Sequence, residues 1–154
     1  MSVTIRAAAP ADVDDLVELR RELAFEGIER REQVESEGFE ETCRAFLRQA
    51  LAGSSWQIWV AVADERIVAN VYVALVDKVP RPEGEATRIA YLTNVYTRPE
   101  QRGNGIGARL VERAQQAARE TDCELMLVWP SDQSGAFYER LGFIAPGEPL
   151  VWYA

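Results

Sequence analysis

The stretch of sequence that decides the fold runs from Tyr91 to Gly107 and reads YLTNVYTRPEQRGNGIG. Its first part belongs to an apolar run, from about Ala86 to Thr97, that predicts a long strand, and helical periodicity follows from about Gly105 to Glu120. Three glycines therefore stand where a strand passes into a helix. They leave main-chain N–H groups uncovered at the positive end of the helix dipole, which favours a phosphate-bearing ligand. A tight turn alone needs only one or two glycines, so that alternative is the weaker one.

The same glycines also fit the dinucleotide-binding pattern G-x-G-x-x-G/A as Gly103, Gly105 and Ala108, with Asp122 and Glu124 about 20 residues further on. In that pattern the strand runs directly into the first glycine, whereas five polar or proline residues intervene here. The chain also lacks the alternation of strands and helices that a Rossmann domain needs, so this fold is disfavoured. The pattern G-x-x-x-x-G-K-[ST] is absent, which gives no support to P-loop nucleotide hydrolysis.

The rest of the chain predicts further elements on both sides of this stretch. Alternation predicts a short strand from Val3 to Arg6, and Pro10, followed by several aspartates, predicts the start of a helix. Periodicity then predicts a helix over 39–51 that ends at Gly53, a hairpin of strands 57–63 and 66–76, a strand over 124–129, a short helix over 134–141 and a final strand over 143–153. The order β-α-α-β-β-β-α-β-α-β predicts one α+β domain, 1–154, with a mixed sheet.

Composition excludes several classes of function. The 154 residues carry 17 Lys+Arg and 25 Asp+Glu, a formal charge of −8, so no basic stripe is available to hold nucleic acid. Two cysteines, Cys43 and Cys123, and no histidine are too few for a disulfide framework or a thiolate metal site, and Ser-His chemistry is excluded. No metal is expected. The start of the chain lacks a basic and then apolar leader, so we expect a soluble, cytoplasmic protein without a membrane partner.

The net charge is concentrated near the start of the chain. From Asp12 to Glu41 there are 12 acidic and 4 basic residues, while the remaining residues carry 13 of each sign. One interpretation is a solvated helical face. The other is an acidic rim that concentrates and orients a cationic ligand, with Glu26 and Glu29 among its members.

Two motifs resemble those of the GNAT N-acetyltransferase superfamily. Arg102-Gly-Asn-Gly-Ile-Gly107 is similar to the family's acyl-CoA signature R/Q-x-x-G-x-G/A, and the strand and Pro-Glu turn before it resemble the family's fourth strand and pyrophosphate loop. Ser134-Gly-Ala-Phe-Tyr-Glu-Arg-Leu-Gly-Phe143 resembles the family's short helix, with its Phe-Tyr and Leu-Gly-Phe at the same spacing. The order of the elements also matches, so the resemblance covers nearly the whole chain.

The resemblance implies a mostly antiparallel mixed sheet flanked by four helices and splayed between its fourth and fifth strands. Acetyl-CoA is then the acyl-donor substrate, with its pantetheine arm in the splay and its pyrophosphate on the glycine-rich turn. An unpaired strand edge is also, in physical terms, a template for an extended ligand that carries amides. The residues that the resemblance assigns to acetyl-CoA are Val95, Tyr96, Thr97, Arg102, Gly103, Asn104, Gly105, Ile106, Gly107, Ala108, Ser131 and Ser134.

The resemblance also implies two catalytic groups. The N–H of Val95 is the candidate donor to the oxyanion of a tetrahedral intermediate. Tyr138 is the candidate general acid that protonates the leaving thiolate, because a phenol and a thiol have similar pKa values, about 10 and 8.5. The structural alternatives are a core valine and a core aromatic residue. Some family members carry a glutamate base on the fourth strand, where this chain has Thr93 and Asn94, so the general base stays open between a carboxylate such as Glu26 or Glu29 and a water chain.

The function that the resemblance implies is transfer of an acetyl group from acetyl-CoA to a primary amine of a small molecule or peptide, directly in a ternary complex. The competing interpretation is a catalytically idle acyl-CoA-binding or regulatory domain. Among the aromatic residues, Trp59 and Tyr72 are expected in the core, and Trp56 and Trp129, at strand ends, near a cleft. The acceptor and the oligomeric state stay open, although the resemblance allows a homodimer.

Overall fold

A computed structural model describes residues 2–84, 86–145, 147 and 150–153 of the chain, and within them five strands and four α-helices are found. Short 3₁₀ turns precede α1, lie between α1 and α2, and follow β4. The elements are β1 (Val3–Ala7), α1 (Val13–Ala24), α2 (Phe39–Ala52), β2 (Trp56–Ala63), β3 (Arg66–Asp77), β4 (Arg88–Thr97), α3 (Ile106–Glu120), β5 (Cys123–Val128) and α4 (Gly135–Arg140). None of the helices in these residues is long and apolar enough to cross a membrane.

The five strands form one mixed sheet in the order β1-β2-β3-β4-β5. The first three pairings are antiparallel, and β4 pairs with β5 in parallel. This confirms the predicted mixed, mostly antiparallel sheet flanked by four helices. The parallel pairing between β4 and β5 has α3 as its crossover, as a parallel connection requires.

The predicted hairpin of β2 and β3 is confirmed, although its turn residues are unusual. Ala63 pairs with Arg66, so Asp64 and Glu65 are the only residues of the turn, and both have positive φ, 48° and 64°. Positive φ at both positions is the type I′ arrangement, which matches the twist of the two strands. Glycine or asparagine usually fills these places, so the tight turn here is imposed by the pairing of two strongly apolar strands.

Two apolar cores lie on the two faces of the sheet. One joins α3 and Tyr138 of α4 to one face, and the other joins α1 and α2 to the opposite face. Side chains of β4 contribute to both: Leu92 lies in the α3 core, while Tyr96 lies in the α1 and α2 core. In a regular strand these two residues, four apart, would face the same side. The strand therefore carries an irregularity between them, which matters for the site.

The predicted final strand over 143–153 is wrong for the residues that are described there. None of residues 143–145, 147 and 150–153 is in a strand; residues 146, 148 and 149 lie outside the described residues. Ile144 is 82% exposed and Trp152 85% exposed, so the apolar pattern of this segment is not buried on the sheet. Two prolines in the segment, at 146 and 149, remove main-chain donors that a ladder would use.

Candidate active site

The pairing between β4 and β5 ends halfway along β4. It reaches from Arg88 and Cys123 to Leu92 and Val128, whereas β4 continues to Thr97 and stays paired with β3 on its other side. Residues 93–97 thus have no strand partner on the β5 side in the part of the chain that the structure describes; we call this stretch the β4 edge. This is the splay predicted between the fourth and fifth strands. An unpaired edge presents main-chain donors and acceptors to an extended ligand.

A β-bulge lies within the β4 edge. Tyr72 pairs with Thr93 and Asn70 pairs with Tyr96, so Asn94 and Val95 together oppose a single residue of β3. Asn94 takes a left-handed conformation with φ of 51°, and its carbonyl accepts a 2.6 Å hydrogen bond from Nδ2 of the fully buried Asn70. The extra residue reverses the alternation of side chains. Val95 therefore packs against the α3 core, and Tyr96 faces α1.

The glycine turn, residues 102–107, follows β4 and opens α3. Gly103 and Gly105 have φ of 79° and 71°, and a Cβ atom built on either would meet nothing within 4 Å. Glycine at these two positions therefore permits a left-handed backbone, and the space beside each Cα is open. The first helical bond runs from the Arg109 N–H to the Gly105 carbonyl at 3.1 Å, so the N–H groups of the first turn have no helical acceptor. No acidic side chain stands in this first turn, which leaves the helix dipole free to act on an anion.

Gly107 has a different role from the other two glycines of the turn. A Cβ atom there would lie 3.4 Å from Oγ1 of Thr97 and 3.7 Å from Cζ of Phe137. It is already helical, and these ordinary van der Waals distances place the first turn of α3 against the end of β4 and against α4. Asn104, between Gly103 and Gly105, makes a local hydrogen bond in which its Nδ2 donates to the Gln101 carbonyl at 3.2 Å.

Arg102 uses its side chain to fix the glycine turn. Its Nε donates to the Thr97 carbonyl at 2.9 Å, its guanidinium pairs with Glu26 and lies over the ring of Tyr96, and its own N–H donates to the Pro99 carbonyl at 3.2 Å. This corrects one detail of the predicted anion site, because the Arg102 N–H is already engaged within the turn. The N–H groups that stay available begin at Gly103 and continue through Ile106 to Ala108.

Arg98 is a buried residue at the end of the β4 edge that the sequence pattern did not single out. It is 4% exposed, directly follows β4, and pairs with Glu18 at 3.1 Å and Glu22 at 3.0 Å, two residues one turn apart on α1. A guanidinium this deep needs such partners, because an unpaired buried charge is costly. Burial raises the pKa of Glu22, and burial and the Glu22 carboxylate together raise the pKa of Tyr96 to about 12. The spacing of the two glutamates places them on one face of α1, but the sequence of one protein gives no indication that residue 98 is their partner.

Tyr138 lies on α4 in the same core as Val95 and Ile106. It is 8% exposed and makes edge-to-face contacts with Phe137 and Phe143, with ring centroids 5.0 and 5.5 Å apart. Burial raises the pKa of its phenol. Phe137, the residue before it, reaches the first turn of α3 at Gly107, so α4 and the glycine turn are packed together. The structure therefore brings Tyr138 and Val95 into one cluster beside the turn.

The two serines that the resemblance assigns to acetyl-CoA form hydrogen bonds with each other. Oγ of Ser131 donates to Oγ of Ser134 at 3.0 Å, and the Ser134 hydroxyl donates to the Ser131 carbonyl at 3.1 Å. No side-chain cap bond is formed at the start of α4. The two serines instead close the loop that leads from β5 to α4.

A large pocket lies on the opposite face of the sheet, between α1, α2 and the β4 edge. Its volume is about 720 Å³, within the range of small-molecule sites. We call it the aromatic pocket; its lining residues are Arg20, Leu23, Ser36, Glu37, Phe39, Thr42, Cys43, Phe46, Leu47, Trp56, Tyr72, Thr93 and Asn94. Thr93 and Asn94 are also the first two residues of the β4 edge. The pocket therefore opens on the strand where the splay begins.

The acidic segment contributes little free charge to this pocket. Eight of the 12 acidic residues between Asp12 and Glu41 are in ion pairs with arginine. Glu26 pairs with Arg102, Glu29 pairs with Arg31, and neither lines the aromatic pocket. Glu37 is the carboxylate that lines it. No cluster of three or more possible metal-ligating side chains is found in the described part of the chain.

The aromatic residues fall partly as predicted. Trp56 lines the aromatic pocket, with its ring 5.1 Å from that of Phe46 in an edge-to-face contact. Tyr72 is buried at 5% exposure, as expected, but it also forms a wall of the pocket. Trp59 packs against the α3 core, with Arg113 3.9 Å above its ring. Trp129 is 61% exposed and contacts Tyr91.

Comparison with known proteins agrees with this geometry. Residues 54–145 match the acetyltransferase (GNAT) domain, which is more than half of the chain, and the chain belongs to that family. The 5-NmdU N-acetyltransferase of Pseudomonas phage PaMx11 is 29% identical over 92 residues, 60% of this chain and 61% of that protein. This chain thus matches about three fifths of the length of that curated relative.

Two solved structures extend the likeness over the whole chain. A predicted acetyltransferase from Clostridium acetobutylicum, solved with acetyl-CoA, is 27% identical with a TM-score of 0.81, covering 99% of this chain and 96% of the other. A transcriptional regulator from Bacillus halodurans C-125 is also 27% identical, with a TM-score of 0.78, covering 99% of this chain and 100% of the other.

Proposed function

We propose that this domain transfers the acetyl group of acetyl-CoA to a primary amine of a small molecule or peptide, by direct attack within a ternary complex. The observation that carries the proposal is that the β4 edge and the glycine turn are consecutive. The first presents unpaired main-chain groups to an amide-bearing arm, and the second presents free N–H groups to a diphosphate at the end of that arm. The likeness to a structure solved with acetyl-CoA supports the same donor.

The contacts proposed for acetyl-CoA are mostly with the main chain. Val95 and Thr97 offer groups of the β4 edge to pantetheine, and the N–H groups from Gly103 to Ala108 hold the diphosphate at the positive end of α3. The side chain of Tyr96 faces α1, so any contribution from this residue comes from its main chain. The Ser131 and Ser134 hydroxyls, paired with each other, lie in the loop before α4 and are proposed to contact the arm of the substrate.

The proposed reaction needs an oxyanion donor and a proton donor. The lone pair of the amine attacks the thioester carbon, a C–N bond forms, and the carbonyl oxygen gains a negative charge that the Val95 N–H stabilises. The bulge at Asn94 removes Val95 from the β3 register, and this supports a role for its N–H outside the ladder. Collapse of the intermediate breaks the C–S bond, and the thiolate takes a proton from Tyr138. The attacking nitrogen loses a proton to solvent or a base, and a proton from solvent returns to the Tyr138 phenolate, so the protons balance over the cycle.

The environment of Tyr138 suits a proton donor. Burial raises the pKa of its phenol above the ordinary value of about 10, so the group is protonated throughout the neutral range. A thiolate with a conjugate pKa of about 8.5 is a weaker base than the phenolate, yet close enough for proton transfer in the transition state. The position of Tyr138 in one cluster with Val95 supports their joint action on one thioester.

The second candidate is a catalytically idle acyl-CoA-binding or regulatory domain. It is favoured by the absence of a glutamate at Thr93 and Asn94 and by the likeness to a protein described as a transcriptional regulator. The two candidates differ in turnover. Release of free thiol from acetyl-CoA across a panel of amino acids, polyamines, aminoglycosides and peptides is expected only of the enzyme. Calorimetric binding of acetyl-CoA with no release for any amine would favour the idle domain.

Tyr138→Phe tests the mechanism, and it keeps the ring and removes only the hydroxyl. We expect kcat to fall by at least roughly tenfold, the lower range for loss of a general acid, with little change in the dissociation constant of acetyl-CoA. Phe143→Leu, which alters the ring beside Tyr138 and keeps the hydroxyl, is the matched control for packing. Unchanged turnover in Tyr138→Phe would remove Tyr138 from the mechanism.

A further inference from the structure

The aromatic pocket gives information on the acceptor that the acetyl-CoA site does not. It lies on the α1 and α2 face, and its residues Thr93 and Asn94 begin the β4 edge, where the proposed thioester arm enters. A ligand in this pocket therefore approaches the same strand from the opposite side to α4. That is the arrangement a ternary complex needs, with donor and acceptor meeting at one point of β4.

The walls of the pocket are apolar and partly preorganised. Phe46 and Trp56 are in edge-to-face contact, and Tyr72 closes the wall beside them. Phe46 is 39% exposed although it belongs to the apolar stripe of α2, so it borders the pocket rather than a filled core. A pocket of this kind gains affinity by burying apolar surface of a ligand. A small polycation would leave these walls without a partner.

Charge in the pocket is limited to two side chains, Arg20 and Glu37. Arg20 takes part in no ion pair among the described residues, although its neighbour Arg21 pairs with Glu35 and Glu40. Its charge acts on groups inside the pocket, since it lowers the pKa values of Cys43 and Tyr72 against the larger upward effect of burial. Because Arg20 lines the pocket and is exposed, its guanidinium is available to an anion there.

A guanidinium binds a carboxylate through two parallel hydrogen bonds, and one arginine is sufficient for that. A phosphate carries nearly two negative charges and would call for a second cation, and Arg20 is the one cation among the lining residues. The pocket therefore combines a site for one carboxylate with apolar walls and an opening at the β4 edge.

We propose that the acceptor is an amine that also bears a carboxylate and a large apolar or aromatic group, an apolar amino acid being the simplest form, with its carboxylate on Arg20 and its apolar group in the aromatic pocket. The inference rests on the proposed acetyltransferase function and names its acceptor class. The amine of such a molecule still arrives as a cation, so the ligand is a zwitterion rather than a polycation.

The test compares matched amines that differ only in the carboxylate. Phenylalanine and phenethylamine form one pair, leucine and isoamylamine a second, and spermidine represents polycations; thiol release gives kcat/KM for each. We expect the amino acid of each pair to be the better acceptor. In Arg20→Gln its kcat/KM falls by about tenfold, the effect of losing a charge-assisted pair, while that of the decarboxylated amine is unchanged.

Arg48→Gln is the matched control, because Arg48 is exposed on α2, has no ion pair in the described part of the chain, and does not line the pocket. It should leave both members of each pair unaffected. Equal effects of Arg20→Gln on both members, or spermidine as the best acceptor, would overturn the inference while the acetyltransferase function stands. Binding of acetyl-CoA without thiol release for any amine would instead contradict the proposed function and the inference with it.

Discussion

Gly105→Ala separates the role of the glycine turn in folding from its proposed role in binding. Gly105 has φ of 71°, and a Cβ atom there meets no protein atom within 4 Å. The folded protein therefore loses stability through backbone strain alone, about 1–2 kcal/mol for a left-handed alanine. For a chain of this length that is roughly 2–8 °C in melting temperature, so the variant stays folded at 25 °C.

The effect on binding should be larger than the effect on stability. The open space beside Gly105 is where the diphosphate is proposed to lie, so the methyl group displaces it from at least one charge-assisted hydrogen bond. Such a bond contributes about 1.5–3 kcal/mol, and 1.4 kcal/mol corresponds to tenfold, so the dissociation constant of acetyl-CoA should rise by at least roughly tenfold. Isothermal calorimetry measures it, and thermal unfolding measures the strain.

Gly84→Ala is the matched control for strain. Gly84 has φ of 72°, a Cβ there also meets nothing within 4 Å, and it stands in the loop between β3 and β4. The two variants should lose similar stability, and only Gly105→Ala should lose acetyl-CoA affinity. If both variants bind acetyl-CoA as the parent protein does, or both weaken equally, the reasoning about the glycine turn is refuted.

Three further predictions concern the acid, the fold and the bulge. The alkaline limb of the kcat profile should lie above pH 10, because burial raises the pKa of Tyr138, and a limb near pH 8 would contradict its assignment. Asp12→Asn removes a bidentate pair with Arg6, at 2.6 and 2.9 Å, and weakens a main-chain bond, so denaturation at pH 7 should show a loss of about 1–3 kcal/mol. The pair lowers the pKa of Asp12 in the folded state, so this stability is fully present above the unfolded pKa of about 3.9 and is lost as the pH falls through the lower folded-state pKa. The difference between parent and variant should therefore shrink as the pH falls below about 3.9, and a difference that stays constant over the whole acid range in which the protein is folded would refute this origin. Asn70→Ala removes the donor to the Asn94 carbonyl, so steady-state assays should show kcat reduced several-fold with a smaller change in KM for acetyl-CoA, and an unchanged kcat would show that the bulge does not depend on this bond.

The helices and the hairpin were predictable because each depends on local periodicity. The stripe of α3 repeats at helical spacing, and its buried residues, such as Leu110, Val111 and Ala114, are those that the pattern selects. The β2 and β3 runs are apolar enough to force a two-residue turn without the usual glycine. The glycine turn between β4 and α3 was predictable because three glycines stand where the strand pattern passes into the helix pattern, and its role in binding stays a prediction.

The bulge in β4 was not predictable from the sequence. One extra residue at Asn94 leaves no mark on the apolar pattern of the strand, and its contact with Asn70 links positions on neighbouring strands. The final strand was mispredicted because its apolar pattern, which includes Ile144 and Trp152, is typical of a strand. A strand also needs a neighbouring strand to pair with, and the pattern of one segment does not show whether such a neighbour is available.

Ion pairing changes how the negative charge near the start of the chain is interpreted. The excess of carboxylates over residues 12–41 suggested an acidic rim, yet eight of these 12 carboxylates are in ion pairs with arginine, some of them with the remote Arg98 and Arg102. Arg20, by contrast, looked like an ordinary surface cation of α1. Only the fold distinguishes the paired charges from Arg20, and the proposal about the acceptor rests on that distinction.

The most direct test of the account is a crystal structure of the protein with acetyl-CoA bound. The account predicts the diphosphate on the N–H groups from Gly103 to Ala108, the pantetheine arm along the β4 edge, and the thioester carbonyl within hydrogen-bond distance of the Val95 N–H with the Tyr138 hydroxyl near the sulfur. A diphosphate bound away from α3, or a sulfur atom far from Tyr138, would contradict it.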